Sequence, residues 1–379
     1  MKYNSIAGVR VSQIGFGAEW MESKTYDEVK EMVDCCCDNG VNLLDCWMSD
    51  PMVRSNLGKA IRDNRKYWRI QGHIGSTWQN NQYVRTRQMD KVKEAFSDLL
   101  ERLNTDYIDF GMIHYVDEVT EYDEIINGEF MEYVYKLKDD ETIHHIGLST
   151  HNPVVAMKAA MNEDIELIMI SANPAFDMMP PVVLDDYFDK DKYDDSLNKL
   201  QPIRNKLYQL CEDTDTSITV MKPFAGGRLL NENDSPFETA LTPVQCIHYA
   251  LTRPSSKSVL VGVENVDELG MALSYMDASN EDRDYNRILA TAKKHSFMGS
   301  CTYCGHCSPC PSEINIAMVN KFYDLAVIHD TIPSSIAEHY ENLAVHADSC
   351  IGCGECMTRC PFGVDIVDLM SRTRELFGY

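Results

Sequence analysis

The 379-residue chain carries 35 Lys and Arg against 59 Asp and Glu, a formal charge of −24, with 44% hydrophobic and 25% charged residues. That is the composition of a globular protein with room for one large domain and a small one. A surface this acidic repels nucleic acid and anionic membrane, so neither is an expected partner. Met1–Ile6 holds one lysine with no apolar signal core behind it, and no uncharged apolar run approaches the roughly 20 residues of a membrane helix, so a cytoplasmic location is expected.

From residue 13 to about 278, short apolar runs alternate with longer amphipathic ones. The predicted strands are Gln13–Gly17, Val41–Cys46, Arg69–Ile74, Ile108–His114, His145–Ser149, Leu167–Ala172, Ser217–Lys222 and Ser258–Gly262. Helices are predicted between them, among others over Tyr26–Asn39, Arg87–Leu103, Pro153–Asn162, Pro202–Glu212 and Pro243–Thr252. Near-continuous apolar strands such as Leu167–Ile170 suit a parallel sheet buried on both faces, and eight strand–helix units suit a (β/α)8 TIM barrel. A doubly wound sheet would want a Gly-rich dinucleotide turn after its first strand, and Gly15–Trp20 lacks the third glycine.

Two long segments interrupt the alternation, Tyr115–Glu129 and Asn173–Leu200, and the acidic stretch Asp185–Asp191 in the second reads as a lid or as a solvated loop. The character changes after residue 299, where helices are predicted over Ile314–Ile328 and Ser334–Ala347, each beside a cysteine cluster. The expected division is a barrel over residues 1–285 and a small, mainly α-helical ferredoxin-like domain over residues 295–379.

Eight of the 14 cysteines lie between Cys301 and Cys360, and a chain without an export signal points them toward metal rather than disulfides. The second run, Cys350-x2-Cys353-x2-Cys356-x3-Cys360-Pro361, has the bacterial 4Fe–4S spacing, while the first, Cys301-x2-Cys304-x2-Cys307-x2-Cys310-Pro311, is one residue tighter before its last cysteine. Three thiolates at two-residue gaps on a tight loop each reach one iron of a cube. The fourth, before a chain-turning proline, serves the neighbouring cube. Cys301, Cys304 and Cys307 are thus expected to share one cluster with Cys360, and Cys350, Cys353 and Cys356 the other with Cys310. Zinc would need two pairs of thiolates per ion rather than triplets with proline-terminated fourths. Cys35, Cys36, Cys37, Cys211 and Cys246 read as packing residues, and Cys46 as bordering the active centre.

Barrel chemistry sits at the C-terminal ends of the strands. Asp45, His73, His114, Ser149, Asn173 and Lys222 all fall there. Five segments resemble the aldo-keto reductase family: Gly40–Asp45, Leu57–Ala60, Tyr107–His114, Ile146–His151 and Met221–Gly227, the last two resembling its branch with a C-terminal ferredoxin-like module. The resemblance implies a catalytic Asp, Tyr, Lys and His. Asp45 and His114 match, whereas Asp50 stands at the tyrosine's place and His73 at the lysine's, with no tyrosine read nearby to replace the lost phenol. It also implies that Ser149, Asn173 and Lys222 face a cofactor. NAD(P)H or a flavin are the candidates, but the loop Val263–Glu268 is acidic where the family binds the 2′-phosphate of NADPH.

Free imidazole titrates near neutral pH, so His73 and His114 are expected to act as acid and base, with Asp45 or Asp50 orienting one of them, or the four to hold a divalent metal. Two functions follow. One is an oxidoreductase passing electrons through two 4Fe–4S clusters to or from a small substrate at the barrel mouth, with an electron-transfer protein such as ferredoxin or flavodoxin as partner. The other is a lyase, dehydratase or epimerase with structural clusters. A pure electron-transfer subunit fits poorly with two histidines at a barrel rim. Trp47, Trp78, Tyr83 and Tyr115 are expected in loops over the mouth, stacking a ring or packing the loops.

Overall fold

The structure, a computed structural model, describes residues 1–178, 201–291, 299–327 and 331–379. Asp185–Asp191 and most of Asn173–Leu200 lie outside the described residues.

All eight predicted strands form and close into one parallel barrel. Its strands are β3 (Ile14–Gly17), β4 (Leu43–Cys46), β5 (Arg69–Ile74), β8 (Ile108–Ile113), β9 (Ile143–Thr150), β10 (Leu167–Ser171), β11 (Ser217–Met221) and β12 (Ser256–Gly262), with β3 pairing β12 to complete the ring. Apolar side chains on alternate positions face outward onto the helices, where Ile14, Leu44, Ile70, Ile146, Ile168 and Val259 join one continuous core. The helices are α1 (Tyr26–Asp38), α2 (Pro51–Ile61), α3 (Met89–Leu103), α5 (Glu129–Asp139), α6 (Pro153–Ala160), α7 (Pro202–Asp213), α8 (Pro243–Leu251) and α9 (Val266–Leu273). Thr25 and Thr242 start α1 and α8 with capping boxes, each hydroxyl bonded to the N3 amide and the N3 Glu or Gln reaching back.

Three elements depart from the sequence expectation. The segment Tyr115–Glu129 is not a plain interruption, because it contains α4 (Val119–Ile126). A hairpin of β1 (Tyr3–Ile6) and β2 (Val9–Ser12) precedes the barrel and plugs its floor, Ile6 and Val11 packing with Leu43, Phe110, Leu167 and Leu260. A second hairpin, β6 (Ser76–Gln79) and β7 (Gln82–Arg85), follows β5 at the rim.

The C-terminal domain contains α11 (Ile316–Ala326), α12 (Ser334–Glu341), α13 (Glu355–Arg359) and α14 (Ile366–Phe377), with α10 (Asn286–Thr291) leading toward it. Ser334–Ala347 was expected as one helix. It stops at Glu341, where His346 Nε2 turns back onto the carbonyls of Tyr340 and Glu341. Ile316, Val319, Phe322, Ile336, Tyr340 and Met370 make its own small core. The domain is fastened to the barrel: Lys321 pairs with Glu212 at 3.5 Å, Ser335 donates to Asp213, and Arg253 and Tyr285 both donate to the carbonyl of Thr302.

Candidate active site

A cavity of about 760 Å³ opens at the C-terminal ends of the strands. Trp47, Tyr83, Tyr115, Phe224 and Met169 supply apolar wall, and Asp45, His73, His114, Ser149, His151 and Lys222 supply polar groups.

The sequence puts Asp45, His73 and His114 on β4, on β5 and just after β8, which are adjacent in the barrel, so inward-facing residues at their ends must meet. They meet in a line. Asp45 Oδ1 lies 2.9 Å from His73 Nε2, His73 Nδ1 lies 2.8 Å from His114 Nδ1, and His114 Nε2 lies 2.7 Å from the Tyr83 hydroxyl. A carboxylate only accepts, which fixes the proton on His73 Nε2 and leaves Nδ1 bare. His114 must then donate from Nδ1 and accept on Nε2, and Tyr83 must donate its hydroxyl proton inward. Every member of the line is satisfied by this one arrangement. Electrostatics agree: burial, with His73 and two arginines nearby, holds His114 well below its ordinary value, and burial pushes the Tyr83 phenol up to about 12, so one is neutral and the other protonated near pH 7.

The tyrosine is the residue that sequence reading missed. The sequence offers Tyr83 as a mouth aromatic and no phenol in place of the one lost at position 50. The structure corrects this, because β6–β7 folds Tyr83 back over His114. Asn80 and Asn81 turn the hairpin with φ of 53° and 60°, a two-residue turn of left-handed residues that asparagine tolerates. An Asn–Asn pair between Thr77-Trp78 and Tyr83-Val84 was the available signal. The hairpin is tied down by Ser49 Oγ to Thr77 O, by Ser76 Oγ to Trp47 O, and by the buried guanidinium of Arg54, which reaches Ser76 O, Met48 O and Ala95 O. Trp47 stacks on His114 and meets Tyr83 edge-on.

Asp50 does not join this line. Its carboxylate accepts from the Met52 and Val53 amides and caps α2 ahead of Pro51, which an Asp–Pro at a helix start demands. Asn173 is likewise occupied, accepting from Ala175 and Phe176 and donating to Lys222 O, and neither residue lines the cavity among the described residues. Ser149 and Lys222 do line it, Ser149 Oγ accepting from the Tyr115 amide and Lys222 holding a left-handed φ of 53°. Trp78 lies outside the lining, and Cys46 faces the outer core rather than the cavity, its thiol pushed up to about 12 by burial.

A second polar unit was not foreseen. Asp117 Oδ1 accepts from the His151 amide and Thr150 Oγ1, and Oδ2 lies 3.0 Å from His151 Nδ1. The ring of Tyr115 stands between the two units, 6.1 Å from His114 and 5.0 Å from His151.

Three carboxylates, Glu19, Glu264 and Glu268, line the far end. Glu268 accepts from the Glu264 amide and from Asn265 Nδ2, so its own carboxylate covers the start of α9.

None of the fourteen cysteines, eight of them in the C-terminal domain, is in a disulfide. Cys301, Cys304, Cys307 and Cys360 surround one small cavity, and Cys310, Cys350, Cys353 and Cys356 surround another. Among the described residues no three His, Cys, Asp or Glu converge tightly enough for a single metal ion. Thiols set around a space, rather than around a point, suit a cube of several irons. Asn320 Nδ2 approaches Cys301 Sγ at 3.4 Å. No described helix is long and apolar enough to cross a membrane.

Comparison with known proteins agrees with both regions. Residues 13–245 match the aldo/keto reductase family and residues 300–364 a 4Fe-4S dicluster domain. Aldo-keto reductase YhdN of Bacillus subtilis is 31% identical over 161 residues, which is 39% of this chain and 47% of that protein. The match thus spans about half the length of this curated relative. An aldo-keto reductase of Bacillus halodurans superposes with a TM-score of 0.59 in its holo form and 0.53 in its apo form, at 20% and 19% identity, over 78% of this chain and 98% of that one. At such identities the likeness is one of fold. The family match alone covers more than half of the chain, which therefore belongs to the aldo/keto reductase family and carries a 4Fe-4S dicluster domain at its C-terminal end.

Proposed function

We propose that this oxidoreductase moves electrons through two 4Fe–4S clusters to or from an aromatic carbonyl or alcohol bound in the barrel cavity, with Tyr83 handling the proton on oxygen. The observation that carries the reading is the continuous line Tyr83–His114–His73–Asp45 at the cavity wall.

For reduction, Tyr83 turns its hydroxyl proton from His114 Nε2 to the substrate oxygen as negative charge develops there, and is reprotonated from solvent through the cavity mouth. For oxidation the proton runs the other way and comes to rest on the His73–Asp45 pair. Asp45 fixes the His73 tautomer, and Gln71, whose amide donates to Asp45 at 3.1 Å, fixes Asp45. Trp47, Tyr115 and Phe224 offer ring faces for an aryl group. The 2′-phosphate of NADPH does not fit here, because Glu264 and Glu268 line the cavity and would repel it.

Cys301, Cys304, Cys307 and Cys360 would hold one cluster, and Cys310, Cys350, Cys353 and Cys356 the other. When bound, each supplies one electron at a time. An electron-transfer protein such as ferredoxin or flavodoxin is the proposed external partner.

The test is stopped-flow mixing of anaerobically reduced enzyme with aryl aldehydes, following cluster absorbance. Reoxidation matched by alcohol formation is expected. Turnover with the clusters unchanged in oxidation state would move the assignment to a lyase, dehydratase or epimerase.

A further inference from the structure

A hydride donor brings two electrons and a hydrogen together, so a carbonyl reduced that way needs a single proton donor. Clusters bring electrons alone. Both new hydrogens must then arrive as protons, one on oxygen and one on carbon, and one tyrosine cannot deliver both to opposite ends of the same bond.

The cavity holds a second proton-transfer unit. His151 lines it together with Tyr83 and His114, and the ring of Tyr115 separates the two units. Asp117 is a well-satisfied carboxylate: Thr150 Oγ1 and the His151 amide fill Oδ1, and Asn152 Nδ2 holds the backbone carbonyl of the same residue. Its Oδ2 can only accept, which places the proton of neutral His151 on Nδ1 and gives the exchange role to Nε2. Such investment in orienting one imidazole beside a cavity is the arrangement of a base with its orienting acid.

We propose that Asp117 and His151 form a second proton-transfer dyad, which exchanges the carbon-bound hydrogen as a proton while Tyr83 exchanges the oxygen-bound one. This rests on the electron-supplied reading above. The balance is R–CHO + 2 e⁻ + 2 H⁺ → R–CH2OH. The π bond of the carbonyl breaks, its oxygen takes the Tyr83 proton, and its carbon takes a proton that His151 Nε2 has first drawn from solvent, with Asp117 countering the transient imidazolium. The electrons come singly from a one-electron reductant by way of the cluster domain. Tyr83 and His151 are both refilled from solvent through the cavity mouth.

Anaerobic holoenzyme photoreduced by a deazaflavin in D2O, with benzaldehyde as the probe, tests this. Wild-type enzyme is expected to give benzyl alcohol with one deuterium on the carbinol carbon in a single configuration. In His151→Asn the same deuterium is expected in both configurations, with the rate down at least about 10-fold. Asp117→Asn should move both readouts the same way and serves if circular dichroism shows His151→Asn unfolded. Nitrogen NMR of resting holoenzyme should show His151 protonated on Nδ1. No alcohol from wild type, or alcohol without carbon-bound deuterium, overturns the electron-supplied reading itself. A single configuration at unchanged rate in the folded variants, or an Nε2–H tautomer in wild type, overturns the dyad and leaves that reading standing.

Discussion

The barrel mouth and the cysteine domain solve one problem, gathering reactive groups around a small volume, by opposite means. In the cysteine domain most of the work is local. Each cavity takes three thiols from a run of seven residues, and only the fourth crosses over from the other run. At the mouth nothing is local. Asp45, His73, Tyr83 and His114 come from three strand ends and a hairpin, and they meet because the barrel closes. A locally built site can be read from spacing and repaired residue by residue. A site built by closure fails as a unit.

Removing the phenol is the strongest way to break that contrast. Tyr83→Phe is expected to lower turnover by about 10²–10⁴ with little change in KM, and Asp45→Asn by less, through the wrong His73 tautomer. A loss below tenfold in Tyr83→Phe would show that oxygen protonation runs elsewhere. In the cysteine domain the crossover predicts a selective loss. Cys310→Ser should cost the cluster of Cys350, Cys353 and Cys356, leaving about four of eight irons, and Cys360→Ser the other cluster. Iron and sulfide assays with EPR distinguish the two. Cys304, Cys360 and Phe362 pack on the barrel core, so Cys360→Ser should also lower barrel stability more.

Acid sharpens the comparison further. Burial holds His114 and His151 below their ordinary value of 6.5, and His248 at about 4. The unfolded chain takes up protons near 6.5 that the folded barrel refuses. The stability from these neutral histidines is therefore whole above that pH and is lost as pH falls toward the folded values. Thermal melts of the holoenzyme should show a midpoint that declines below about pH 6.5, and His248→Gln should flatten the decline. An unchanged slope would remove His248 from the account. The smallest effect concerns the hairpin. Asn81→Ala removes the short polar side chain that lets asparagine tolerate φ 60° and should cost about 1 kcal/mol, whereas Asn81→Gly should be nearly neutral. Equal melts for the two would mean that the turn carries no strain.

What could be read beforehand follows the same division. The eight strands were legible because parallel strands buried on both faces are apolar runs, and cysteine spacing already implied the crossed partners seen around the two cavities. Asp45, His73 and His114 were legible as strand-end polar residues. Asp50 misleads, because its spacing from Asp45 suggests a function while the proline that follows it marks a helix cap. Tyr83 escaped because it stands 38 residues from Asp45 and reaches the site only through a turn whose asparagines are its sole local sign. Asp117–His151 escaped because its partners sit on different loops, 34 residues apart.

The carbonyl of Thr302 carries one more implication. It sits between the first two thiols of the cluster loop and accepts at once from Arg253, fully enclosed by protein, and from Tyr285. A guanidinium sealed away from water cannot easily surrender its acceptor. Oxidative damage to the iron would thus not remain where it starts: slackening of this loop would unseat an arginine in the barrel wall, and the protein would register loss of iron as a cooperative fault of the whole chain.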